Sequence, residues 1–213
     1  KEATELACPT LGVKPESQQQ EVSFTVNYEL PNDIAHVKVK YTLLGDGQLL
    51  VNCGIQPNSD TLPNLPRLGM SMTLPTDYAD AAGYGRGPFE TYWDRKTAGK
   101  IALYEGKVVD QYHGYVRPQE SGNKTDLRWM RVSSSELSLT VRPSDNQLLN
   151  GSVWPFATSE LDFVAGKDGG QSASGLVPVA AKHNTDIVVG KVVQWNIDHL
   201  QMGVGGDTSW GRL

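Results

Sequence analysis

The sequence reads as an all-β protein, an antiparallel sandwich, and three observations predict that class. Apolar residues recur with period two in successive stretches, Gly, Pro, Asn and Asp cluster between those stretches, and no segment sustains a helical period. Period two places one set of side chains on a buried face and the other on a face that meets water or a second layer.

Taken in order, Val22, Phe24, Val26, Tyr28 and Leu30 alternate with Ser23, Thr25, Asn27 and Glu29, which predicts a first strand. Val37, Val39, Tyr41 and Leu43 alternate with polar neighbours that include Lys38 and Lys40. The turn Gly45-Asp46-Gly47 then returns the chain through Leu49 to Cys53 as a hairpin arm. Leu68, Met70, Met72 and Leu74 predict a further strand, as do Leu137, Leu139 and Val141, and Val193, Trp195 and Ile197 near the end. Thr158 to Asp162 predicts one capped turn of helix, since a hydroxyl there can accept an orphan amide. The polar stretch Gly166 to Gly175 predicts a surface loop. No repeat or composition break divides the chain, so one domain over 1–213 is expected.

Composition narrows the function. The 213 residues carry 19 basic and 24 acidic side chains, a net charge of −5, with no Lys/Arg cluster, so nucleic acid is not an expected partner. No apolar run approaches the roughly 18 residues of a membrane span. The compartment stays unknown, cytoplasmic or periplasmic. The first residue is Lys1, and no signal-peptide succession follows it, which points to a piece of a longer polypeptide. Cys8 and Cys53 are expected as unpaired thiols.

Catalytic patterns are sparse. Gly83, Gly85 and Gly87, followed by Pro88, superficially echo a phosphate loop, but no parallel strand precedes them and no helix opens after them. A sharp turn using positive φ is the expectation. The four histidines show no metal-ligand spacing, so no metal site is expected. There is no Gly-x-Ser-x-Gly elbow. His113 with Glu120 is the nearest thing to an acid–base pair. Asn123-Lys124-Thr125 and Asn150-Gly151-Ser152 fit the glycosylation tripeptide at the rate chance supplies. Of the five tryptophans, Trp129 and Trp195 fall in alternating stretches and are expected in the core. Trp210 follows a polar glycine-rich run containing Asp207, where an indole can plug the sandwich or offer a stacking face to the C–H side of a sugar.

Three segments together resemble one family. Gly85-Arg86-Gly87-Pro88-Phe89-Glu90-Thr91-Tyr92-Trp93-Asp94-Arg95 resembles the G-x-G-P-x-E-x-Y-x-D-R segment of the large β-galactosidases of glycoside hydrolase family 2. Tyr115 to Asn123 is similar to their Y-x-R-P-Q-E-x-G-N, and Met202 to Trp210 to their M-G-x-G-G-D-x-S-W. The resemblance implies the C-terminal, small-chain domain, a β-supersandwich like that of the galactose mutarotases, here truncated at both ends. It further implies that both catalytic glutamates lie in a preceding barrel, so the chain alone is inactive and has no catalytic residue. Trp210 and Asp207 would bind the galactoside at the active-site mouth. Arg86, Glu90, Asp94, Arg95, Arg117, Gln119, Glu120 and Asn123 would fix the long loops through ion pairs and amide bonds rather than act on substrate. The implied partners are the preceding glycosidase domains, a galactoside and a homo-oligomer. No cofactor is expected in this chain, whereas Mg and Na are admissible for the whole enzyme. A free-standing mutarotase-like enzyme and an independent carbohydrate-binding module are the alternatives.

Overall fold

The computed structural model describes residues 21–62, 65–116, 118–161 and 183–203. Eleven strands, all paired antiparallel, and four 3-10 turns are the regular elements of the described residues, with no α-helix among them. The fold is therefore all-β, built from three antiparallel sheets. The chain divides into two compact units, residues 1–64 and 65–213.

The first unit contains a meander of β1 (Glu21–Glu29), β2 (Ala35–Leu44) and β3 (Leu49–Pro57). The register sets Phe24 opposite Tyr41, with ring centroids 4.9 Å apart, and Val26 opposite Val39. One face is thus apolar, as the alternation predicts. Gly47, at φ +85°, supplies the left-handed turn residue between β2 and β3. Cys53 is an exposed free thiol, while Cys8 lies outside the described residues.

The second unit is a sandwich. One sheet runs β4 (Arg67–Leu74), β11 (Val193–Gln201), β10 (Leu149–Trp154), β7 (Lys124–Leu127). The other runs β6 (Lys100–Lys107), β5 (Asp80–Gly87), β8 (Trp129–Ser133), β9 (Ser138–Val141). Their inner faces meet in a core of Leu127, Val153, Val193, Trp195 and Ile197 from one sheet against Ala81, Met130 and Val132 from the other. Trp195 is fully buried and its indole N–H reaches Met130 Sδ at 3.3 Å. A 3-10 turn covers Thr158–Leu161, where the sequence predicts a helical turn.

Two expectations are corrected. Gly83, Gly85 and Gly87 do not form a turn; they lie inside β5, and none has positive φ. Their role is close approach: a Cβ on Gly85 would lie 2.8 Å from Leu127 Cδ2, and one on Gly87 2.8 Å from the Tyr104 ring. Trp129 is not a core residue. It faces outward opposite Tyr84, half-buried, with the Arg131 guanidinium 5.3 Å from its ring.

Candidate functional site

β11 positions the site because both of its faces are buried. Val193, Trp195 and Ile197 enter the core, while Gln194, Asn196 and Asp198 point the other way yet remain covered. Buried polar groups need partners, and these have them. Asn196 Nδ2 donates to Ser152 Oγ at 3.0 Å, and Asn150 Nδ2 donates to the His199 carbonyl at 2.9 Å. Asp198, 1% exposed at its side chain, accepts two bonds from Arg67, Nε to Oδ1 at 2.8 Å and Nη2 to Oδ2 at 2.9 Å. Gly69 makes room for that carboxylate, since a Cβ there would sit 2.2 Å from Asp198 Oδ1.

The three sequence segments converge around this face. Glu90 accepts a bond from the Gly122 N–H at 2.8 Å through Oε2 and from the Tyr115 hydroxyl through Oε1. Asn123 Nδ2 donates to the Thr91 carbonyl at 2.8 Å, and the Thr91 N–H donates back to the Asn123 carbonyl at 2.7 Å. Thr91 Oγ1 accepts from the Thr125 N–H at 2.9 Å. The Trp154 indole donates to the Ser121 carbonyl at 2.9 Å, tying the second segment down onto β10. The third segment joins through Gly203: at φ +75° it packs so tightly on Tyr92 that a Cβ would lie 2.4 Å from the ring. Gly122, at φ +77°, likewise has no room, its Cβ position being 2.1 Å from the Gln111 carbonyl oxygen. Segments far apart in sequence thereby share one buried hydrogen-bonded knot.

Charges are arranged within it. Arg67 Nη1 reaches Glu120 Oε2 at 3.4 Å, so one guanidinium serves two carboxylates. Burial nevertheless pushes the Glu120 carboxyl up to about 7, outweighing the attraction of Arg67. Burial also raises the hydroxyl of Tyr92, and the nearby carboxylates of Glu120 and Glu90 add to the effect. Arg95 stacks 4.2 Å from the Tyr92 ring and pairs with Asp94 at 3.2 Å. Arg86 donates through Nε to Asp126 and through Nη1 to the Gly99 carbonyl at 2.8 Å, while Lys96 Nζ reaches the other Asp126 oxygen at 2.9 Å.

A pH dependence follows from Glu120. Its native pKa lies above that of the unfolded chain, so the folded state holds the proton more tightly. Stability should be full below pH 4–5 and fall as pH rises through about 7. Glu120→Gln in the full-length protein should flatten this slope, making the variant about 2 kcal/mol less pH-sensitive between pH 5 and 8 than the parent. Amide exchange across β4 and β11 at the two pH values reads the difference; an identical slope in both proteins would refute the assignment.

Of the residues nominated from sequence, Glu90, Glu120 and Asn123 belong to the knot, and Asp94 and Arg95 flank it on Tyr92. Arg86 ties the 96–99 turn to β7, and Gln119 is half-buried in the 111–123 loop. Arg117, Asp207, Trp210 and the Gly166–Gly175 stretch lie outside the described residues. No hydrogen bond or ion pair joins His113 to Glu120: the exposed His113 ring packs edge-on to Tyr115 at 4.4 Å, and Glu120 turns to Arg67. Among the described residues no three His, Cys, Asp or Glu side chains converge as a metal-binding group. Sequence reasoning missed Arg67, Asp198, Thr91, Trp154 and Asp126. The polar run Gln194, Asn196, Asp198, set against an apolar alternation, was the available signal for a second buried layer.

The family model described as "Beta galactosidase small chain" matches residues 3–213. A beta-galactosidase of Priestia megaterium is 35% identical over 202 residues, covering 93% of this chain and 18% of that protein. Those of Halalkalibacterium halodurans and Lactobacillus delbrueckii subsp. bulgaricus are 32% and 30% identical, covering 96% and 94% of this chain and 18% of each relative. The chain therefore spans less than a fifth of the length of the curated relatives it matches.

Proposed function

This chain belongs to the β-galactosidase small-chain family, and we propose that it works as a non-catalytic domain completing the galactoside site of a retaining β-galactosidase of glycoside hydrolase family 2. The observation that carries this reading is the knot itself. It binds the Glu90–Arg95 and Tyr115–Asn123 segments to Gly203, at the start of the segment that bears Asp207 and Trp210. A rigid base is what a binding loop needs, because each ångström of misplacement at a recognition side chain costs affinity.

In this reading the indole of Trp210 stacks on the apolar C–H face of the sugar, and Asp207 accepts from a hydroxyl. The acid and nucleophile that cleave the glycoside come from preceding domains, so this chain alone is inactive. Mg and Na, where the whole enzyme uses them, are held by those other domains. The knot's carboxylates are engaged with Arg67, Tyr115 and the Gly122 amide, which fits a scaffold better than an acid–base pair.

Trp210→Ala in the full-length enzyme tests the reading. Loss of one stacking face removes about 1–1.5 kcal/mol, so KM for lactose should rise about tenfold while kcat changes far less. Unchanged kinetics would remove Trp210 from the site.

A further inference from the structure

Near the Arg86 end of β5 lies a second feature that the knot does not use. A cleft of about 100 Å³ opens between β5 and β7, lined by Gly83, Gly85, Arg86, Gln111, Lys124 and Leu127. That is several times the roughly 30 Å³ share of one water molecule, room for a group of four or five heavy atoms. It exists because β5 carries glycines where side chains would fill it: a Cβ on Gly83 would already touch Leu127 Cδ2 at 3.3 Å.

Two cationic groups line this space with donors to spare. Lys124 is half-buried, pairs with no carboxylate among the described residues, and makes one long contact, 3.5 Å to the Gly122 carbonyl. Arg86 uses Nε and Nη1, leaving Nη2 without a hydrogen bond among the described residues. The nearby acids are largely committed or solvated: Asp126 is shared by Arg86 and Lys96, Glu90 is held by Tyr115 and Gly122, and Glu105 on the rim is exposed. The Glu90 carboxylate attracts the Lys124 ammonium without forming an ion pair with it, and burial outweighs that attraction, so an oxyanion with several acceptor oxygens in direct contact is what relieves the cost.

We propose that this cleft is a binding site for a small oxyanion, a carboxylate or phosphate group, held by Lys124 and Arg86 with the Gln111 amide at its edge. The burial of Lys124 agrees with this, since it pushes the amine down to about 8, where a bound anion would draw it back up.

Lys124 reports on the site directly through its own reactivity. The full-length protein is treated with cyanate at pH 7.5 in chloride, in inorganic phosphate and in acetate at equal ionic strength, and carbamoylation of each lysine is followed by peptide mass spectrometry. In chloride, Lys124 should react faster than the exposed Lys38 and Lys40. Phosphate or acetate at ten times its dissociation constant should slow Lys124 by about tenfold and leave Lys38 and Lys40 unchanged. Protection by one anion alone assigns the site to that class. Gln111→Ala, at the rim, should weaken the protection without changing the fold. Rates at Lys124 that track those of Lys38 in all three salts would overturn the proposal. Galactoside kinetics do not enter, so failure here leaves the reading of Trp210 untouched.

Discussion

Gly203→Ala should strongly loosen the knot. Two costs add. At φ +75° an L side chain pays about 1–2 kcal/mol for the left-handed conformation. The new Cβ would also fall 2.4 to 2.7 Å from three carbons of the Tyr92 ring, which is fully buried and pinned from another side by Arg95. Overpacking of that kind adds about 1–3 kcal/mol, for a total near 3–4 kcal/mol. In the full-length protein, amide exchange in peptides covering 88–95 and 199–203 should accelerate about a hundredfold or more, with the first unit unaffected. If the loop is seated on this base, KM for a galactoside should rise in parallel. The clash belongs to a pair of residues, so a double-mutant cycle isolates it. Adding Tyr92→Ala to Gly203→Ala should cost less than the sum of the single losses, and strict additivity would show that the ring is not what Gly203 accommodates.

Gly203 also illustrates what the sequence disclosed and what it did not. The alternating strands β1, β2, β4, β9 and β11 were legible because each gathers its large apolar side chains on one face, which is what produces period two. β5 was read as a turn because its inward positions are Ala81, Gly83, Gly85 and Gly87, and a residue without a side chain carries no hydrophobic period. β10 was missed for a related reason. Gly151 stands where an apolar side chain would complete the alternation with Val153, and a Cβ there would meet Met130 Sδ at 2.9 Å. Trp129 was misplaced because period two fixes only which residues share a face, not which face is inward.

The site divides along the same line. Glu90, Glu120 and Asn123 stood out because short motifs enclosed them, and the structure gives each a hydrogen-bonded or ion-paired partner. Arg67 and Asp198 did not, because 131 residues separate them and neither sits in a motif. Pairing across that distance is a property of β4 lying beside β11, and it becomes visible only with the sheet order in hand.

Arg67→Met should produce the other large effect. Asp198 has nowhere else to go: its side chain is 1% exposed, and the Gly69 backbone lies against its carboxylate. Without the two bonds from Arg67 a buried carboxylate loses its counter-ion, a change worth about 3–5 kcal/mol. Glu120 loses the one cationic partner it has among the described residues at the same stroke. The loss should depend on pH, and its sign is fixed. Burial already raises the Asp198 carboxyl above its ordinary value, and Arg67 only partly offsets this. Removing the guanidinium raises both carboxyls further, so the folded variant takes up protons that the unfolded chain binds less tightly. Its deficit should therefore be largest at pH 8 and shrink as pH falls toward 5. Arg67→Lys, which keeps the charge but cannot form the two-pronged bond, should fall between the parent and Arg67→Met. Amide exchange in β4 and β11 measures all three. A deficit below about 1 kcal/mol, or one equal at both pH values, would mean that water reaches Asp198 and that the pair holds the strands together less than its geometry indicates. A large deficit that protonation relieves would instead locate the stability of the knot in this one guanidinium, which joins β4 to β11 and β11 to the Glu120 loop.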